Sequence, residues 1–177
     1  MDNEKIILEC SKNIAKAMND YYPACDKAYF HGIYAENGDL ISVDVFFEKD
    51  GMLMRKNLVT YFDLIDCHQP RNIGDQKDFV KKLMEEFKTF SAAFAREFDP
   101  CFTVCEITLF NEDVRHTRVR FVYDTHVLDD LEGGAHELHQ KYFEQIKESL
   151  EEKRWEEGAL LPFFLTLFSN LYIIKKS

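Results

Sequence analysis

At 177 residues, with 46% hydrophobic residues and 16 Phe against a single Trp, the chain can build one domain around an aromatic core but is short for two. Its 32 acidic and 22 basic residues give a formal net charge of −10. That balance argues against binding nucleic acid or anionic lipid, where Lys and Arg must neutralise phosphate, and suits a basic protein partner.

The opening MDNEKIILEC has no continuous apolar run, so no signal peptide is expected and the reading is cytoplasmic. From Asn3 to Tyr21 the residues Ile7, Cys10, Ile14, Met18 and Tyr21 recur at helical steps, which predicts an amphipathic helix ended by Pro23. Two turn signals follow, Asn37-Gly38 and Lys49-Asp50-Gly51, and predict a three-stranded antiparallel meander over about 27–35, 40–48 and 52–58. In the middle strand Ile41, Val43, Val45 and Phe47 share one face, while Ser42, Asp44, Phe46 and Glu48 share the other. The alternation implies one buried face and one partly wet face.

Residues 63–75 read as a loop broken by Pro70, Asn72 and Gly74. Phe79, Leu83, Phe87, Phe90, Phe94 and Phe98 then form a helical stripe, predicting a long helix over about 76–98 laid across the apolar face of the sheet. Asp99-Pro100 ends it, and a hairpin follows over about 102–110 and 115–124. After the acidic loop 124–134, Leu138, Tyr142, Ile146 and Leu150 predict a third helix from Ala135 to about Glu157. The apolar tail 159–174 is short for a bilayer span and holds Pro162, Ser169 and Asn170, so a buried helix or a homodimer contact is expected in place of an anchor. The fold class expected is α+β: an antiparallel sheet of about five strands with helices mainly on one face, in a single domain over 1–177.

No glycine-rich phosphate loop and no nucleophile elbow occurs in the sequence. The five cysteines, Cys10, Cys25, Cys67, Cys101 and Cys105, contain no CxxC pair and read as free thiols. His136 and His139 form an HxxH on a helix, near His126 and Glu132 in sequence, but no complete metal-ligand set is evident. Cys67-His68 makes a poor nucleophile–base pair, because such pairs are normally assembled from distant positions. No catalytic residue, metal or cofactor is therefore expected.

The acidic residues concentrate near turns, where Asp is also favoured for backbone reasons. Read functionally, they form a docking surface composed of Asp44, Glu48, Glu112, Asp113, Asp124, Asp129, Asp130 and Glu132. Phe46 and Tyr123 would act as aromatic anchors, with Tyr29, Tyr34 and Tyr61 as further rings.

The run NIAKAMNDYYPACDKAYFHGIYAENGDLISVDVFFEKDG resembles the opening of the YezG-like immunity (antitoxin) family. The later segments PCFTVCEITLF and RFVYDTHVLDD resemble that family's two following strands. Phe102 stands where the family tends to have Trp, Tyr123 and Asp124 keep an aromatic–acidic pairing, and His126 replaces a second aromatic. The resemblance covers about residues 4–132 and leaves the helical extension 135–177 outside it. It implies a cytosolic protein that neutralises a secreted bacterial toxin of a polymorphic system, often a basic nuclease, by binding its toxin domain. Two other readings stand beside it: a metal-dependent or small-ligand enzyme using His126, His136 and His139, and a structural homodimer packed through the apolar tail.

Overall fold

A computed structural model describes residues 3–59, 73–95, 102–111, 116–124, 129 and 134–153. Helix α1 spans Asn3–Tyr21. Its buried stripe is Ile6, Cys10, Ile14, Met18 and Tyr21, while Ile7 packs at the edge and Leu8 is exposed. Strands β1 (Lys27–Tyr34), β2 (Leu40–Lys49) and β3 (Met52–Arg55) form the meander. Helix α2 is Ile73–Ala95, strands β4 and β5 are Val104–Phe110 and Arg118–Val122, and helix α3 covers residues 134–153. The sheet is antiparallel throughout, in the order β3-β2-β1-β4-β5. This is the α+β architecture the sequence pattern implies.

Both hairpin turns of the meander are set by local chemistry. Gly38 takes the positive φ of the first turn, where the Asn37 side chain accepts the Asp39 N–H at 3.1 Å. Asp50 and Gly51 both have positive φ, as a two-residue hairpin turn requires, and the Asp26 carboxylate accepts the Asp50 N–H at 2.7 Å. Strand β3 stops at Arg55, short of the expected Leu58, because the chain turns there: the Leu58 N–H bonds the Arg55 carbonyl at 2.9 Å.

Alternation along β1 divides the sheet into two unlike faces. Ala28, Phe30, Gly32 and Tyr34 point to the first face with Val43, Val45 and Phe47 of β2 and Cys105, Ile107 and Leu109 of β4. There α1 and α2 bury the main core, with Phe79, Leu83, Phe87 and Phe90 as the inward stripe of α2. Tyr21 stacks on Phe79 with ring centroids 4.4 Å apart, and the Tyr34 hydroxyl donates to the Phe87 carbonyl at 3.2 Å. Phe94 and Phe98, which extend the stripe in sequence, lie outside the residues whose side chains are described.

The second face carries Lys27, Tyr29, His31 and Ile33 of β1 beside Glu48, Phe46, Asp44 and Ser42 of β2 and Phe110, Thr108, Glu106 and Val104 of β4. Residues 134–142 of α3 meet this face, whereas α1 and α2 occupy the first. Residues 1–142 form one compact unit, and residues from Phe143 onward form a second. The described part of the second unit is the continuation of α3 to residue 153, with a Lys147–Glu144 pair one turn apart. The apolar tail 159–174 lies outside the described residues.

Gly32 fixes how closely α2 approaches the sheet. A Cβ at this position would sit 2.5 Å from the Phe87 ring. The ring therefore occupies the space a side chain would take, at the centre of the sheet. Gly32→Ala is expected to destabilise the protein by about 1–3 kcal/mol through overpacking, and Phe87→Leu in the same chain to restore part of that loss. Urea unfolding of the two single variants and the double variant measures the coupling.

Candidate functional site

The second face carries buried polar side chains, His31 and Glu48 from the sheet and His139 from α3. His31 lies at the middle of β1, between Asp44 on one side and Glu106 on the other in the strand register. Its ring stacks on Tyr142 at 4.5 Å, and its Nδ1 faces the Nδ1 of His139 at 2.8 Å. The other nitrogen of His139, Nε2, lies 2.9 Å from the Ser42 hydroxyl. The chain Ser42–His139–His31 thus joins β2, α3 and β1.

Two neutral imidazoles in this arrangement share one proton, with one Nδ1–H donating and the other Nδ1 accepting. Burial strongly favours the neutral forms. It pushes the His31 pKa down to about 3, helped by His139, and the His139 pKa down to about 4. For His139 the Asp44 carboxylate opposes the shift, while Lys56 and His136 add to it. A hydroxyl, an imidazole and an orienting third group also define a nucleophilic triad. At neutral pH, however, an imidazole held this far down is a weak base, and the rings are buried at 3% and 5% exposure. The arrangement is better suited to holding α3 on the sheet.

The charged groups around the pair are matched in place. Lys56 donates to Asp44, and Arg55 donates to Gln140 of α3 while lying over the Phe46 ring. Glu48 accepts from Lys27 at 2.6 Å and from the Tyr29 hydroxyl at 2.5 Å. Burial raises the Tyr29 phenol pKa, and Glu48 raises it further, so Tyr29 stays a donor. Arg120 reaches Glu106 at 3.2 Å from the solvent side.

A different surface forms where β1 ends, β4 begins and β5 ends. The Thr103 hydroxyl donates to the carbonyls of Val122 at 3.2 Å and Asp124 at 2.8 Å, and so holds the chain as it leaves β5. The Tyr34 N–H donates to the Thr103 carbonyl at 2.8 Å, which ties this segment to the end of β1. Tyr123 is 52% exposed, with its ring edge-on to Phe102 at 6.5 Å, and Asp124 beside it is exposed. The turn after β1 brings Glu36 and Asp39, both exposed, to the same end of the sheet. An open depression of about 600 Å³, lined by Asn37, Gly38, Asp39, Leu40, Lys88, Ser91 and Ala92, adjoins that turn.

Several sequence expectations change against this geometry. Phe46, expected as an exposed anchor, is fully buried at 0%, and Glu48 is buried at 5% by its bonds to Lys27 and Tyr29. Asp44 is mostly buried beside Lys56, and Tyr34 belongs to the main core. Asn111, which leads into Glu112 and Asp113, is tied by its side chain to the carbonyls of Pro23 and Cys25 at the end of the sheet opposite Asp124. Asp129 is exposed, whereas Glu112, Asp113, Asp130, Glu132, His126 and Tyr61 lie outside the described residues.

His136 is exposed, while His139 is buried and turns to His31. Among the described residues no group of three or more His, Cys, Asp or Glu is placed to hold a metal ion. Cys10, Cys25 and Cys105 are buried free thiols, and burial pushes Cys10 and Cys25 up to about 12; Cys67 and Cys101 are outside the described residues. No described helix is long and apolar enough to cross a membrane. The His31–His139 contact has no signature in the sequence, since its members are 108 positions apart.

No protein-family model matches the chain, and no curated protein matches it. The likeness to YezG-like immunity proteins therefore rests on the residue pattern over 4–132 alone.

The imidazole pair predicts a pH dependence with a defined sign. Both folded-state pKa values lie below the ordinary 6.5, so the unfolded chain binds more protons in between. Their contribution to stability is complete above about pH 6.5 and declines as pH falls toward about 4 and 3. Between pH 7 and 5 the loss is at most about 2 kcal/mol per imidazole. Chemical denaturation of the wild type and of His31→Leu/His139→Leu across this range should show a shallower slope for the variant.

Proposed function

We propose that this chain is an immunity protein that binds and neutralises a basic toxin domain, of the nuclease class, through the rim formed by Tyr123, Asp124, Glu36 and Asp39. One observation carries the choice of surface: Tyr123 is a large ring 52% exposed next to an exposed carboxylate. An aromatic group ringed by polar neighbours is the composition that dominates binding energy at protein interfaces. The segment holding it is not loose, because Thr103 bonds the backbone on both sides of Tyr123. A pre-ordered anchor loses little entropy when a partner covers it.

Charge supports the same reading. A domain that grips nucleic acid needs a cationic groove, and a protein of formal charge −10 approaches such a groove with long-range attraction. The resemblance over residues 4–132 adds support, because the Tyr123–Asp124 pair is one of the positions that carries it. The charged residues of the second face contribute less to this reading, since Asp44, Glu48 and Glu106 have cationic partners within the chain.

The reading expects a gene for a secreted toxin beside this one, and the test uses that toxin's domain. The purified full chain should bind it and protect co-expressing cells, with affinity falling as salt rises. Tyr123→Ala combined with Asp124→Lys should weaken binding by about 30-fold or more, as removal of a hot spot of about 2 kcal/mol does, with an unchanged far-ultraviolet circular dichroism spectrum. Unchanged affinity in that variant would move the docking surface elsewhere. Failure of the intact chain to bind or protect would end the immunity reading.

A further inference from the structure

We propose that the first turns of α3, residues 134–142, are a proton-released cover over the second face of the sheet. In its closed position the cover lies against His31, Ser42 and Phe46, and in its released position it bares them.

The geometry supplies both the latch and the weakness of the latch. Polar links that hold the segment include His139 to His31, His139 to Ser42, Gln140 to Arg55 and the Tyr142 hydroxyl to Thr108. The apolar residues at this contact form a small group of their own. Ile33, Phe46, Val104 and Tyr142 are buried but stand apart from the continuous core under α1 and α2. A segment seated on a small group apart from the main core opens at lower free energy than the body it covers.

The Nδ1 to Nδ1 contact at 2.8 Å accommodates one proton and not two. With both rings doubly protonated, two N–H groups would face each other between two buried cations. The groups facing His31 are Asp44 from β2, Glu106 from β4, and His139 and Tyr142 from α3. Those facing His139 are Ser42 and Asp44 from β2, Lys56 after β3, and His136 on its own helix. The two carboxylates in this set are already engaged, Asp44 by Lys56 and Glu106 by Arg120. Asp44 favours a charged His139, but each carboxylate is already shared with a cation, so neither is a dedicated counter-ion for a second imidazolium. Separation of α3 from β1 hydrates the second imidazolium, and burial at 3% and 5% exposure makes that hydration valuable.

Hydrogen exchange on the full chain tests this, with β1 amides as an internal reference and rates corrected for intrinsic pH dependence. Protection of residues 135–142 should fall at least tenfold between pH 6 and pH 4, while β1 amides keep theirs. In His31→Gln/His139→Gln the protection of 135–142 should not depend on pH across that range. Simultaneous loss in α3 and β1 in the wild type would overturn the proposal, because it would mean global unfolding. A variant that keeps the wild-type pH dependence would overturn it as well. If that variant does not fold, imidazole nuclear magnetic resonance titration of the wild type decides. Titration of His139 must coincide with loss of α3 protection, and a mismatch of more than one pH unit would sink the idea.

Discussion

Everything in the sheet is registered on β1. As the central strand it is covered on both faces, and its alternation sends apolar and polar residues in opposite directions. On one side Phe87 rests on Gly32, so α2 approaches until ring meets backbone. On the other side His31, one residue away, meets α3 through His139. A one-residue slip of β1 would exchange these two environments, placing an imidazole under Phe87 and removing the close approach. That constraint fixes the positions of β2 and β4, and through them the two ends of the sheet.

The two covers differ in physical character. The first face is closed by aromatic rings at close range, including the Tyr21–Phe79 stack and the contacts among Phe90, Phe102 and Phe121. Burial of that kind is non-directional and insensitive to pH. The second face is closed by directional bonds among groups that titrate or carry charge, which specify geometry but depend on protonation. One sheet therefore has a permanent cover and a conditional one.

Net charge gives a poor map of where exposed carboxylates lie. Asp44 and Glu48 look like surface carboxylates in the sequence, yet each has a lysine partner and little exposure. What distinguishes Tyr123 and Asp124 is their position just past the end of β5, where the strand's pairing stops and the Thr103 hydroxyl takes over the backbone. A ring there has no facing strand or helix to cover it among the described residues, and it stands out at 52% exposure. The proposed partner surface follows from that placement.

The sequence by itself determined the elements and most of their inward faces. The Phe stripe of α2, the cysteine and isoleucine spacing of α1, and the Asn37-Gly38 and Asp50-Gly51 turns act over a few residues, where side-chain period and local φ preferences decide the outcome. It also suggested the two-faced character of β2. Only the tertiary structure decided which cover each face receives. Phe46 reads as a half-wet residue from its polar neighbours, but α3 returns from over 90 residues away in sequence to bury that face. His31 and His139 are ordinary histidines until the register of β1 and the seating of α3 bring their Nδ1 atoms within 2.8 Å. Periodicity is a local property and reports which side of an element is apolar. The contact between two polar side chains on distant elements depends on the three-dimensional path of the chain, which no local spacing encodes.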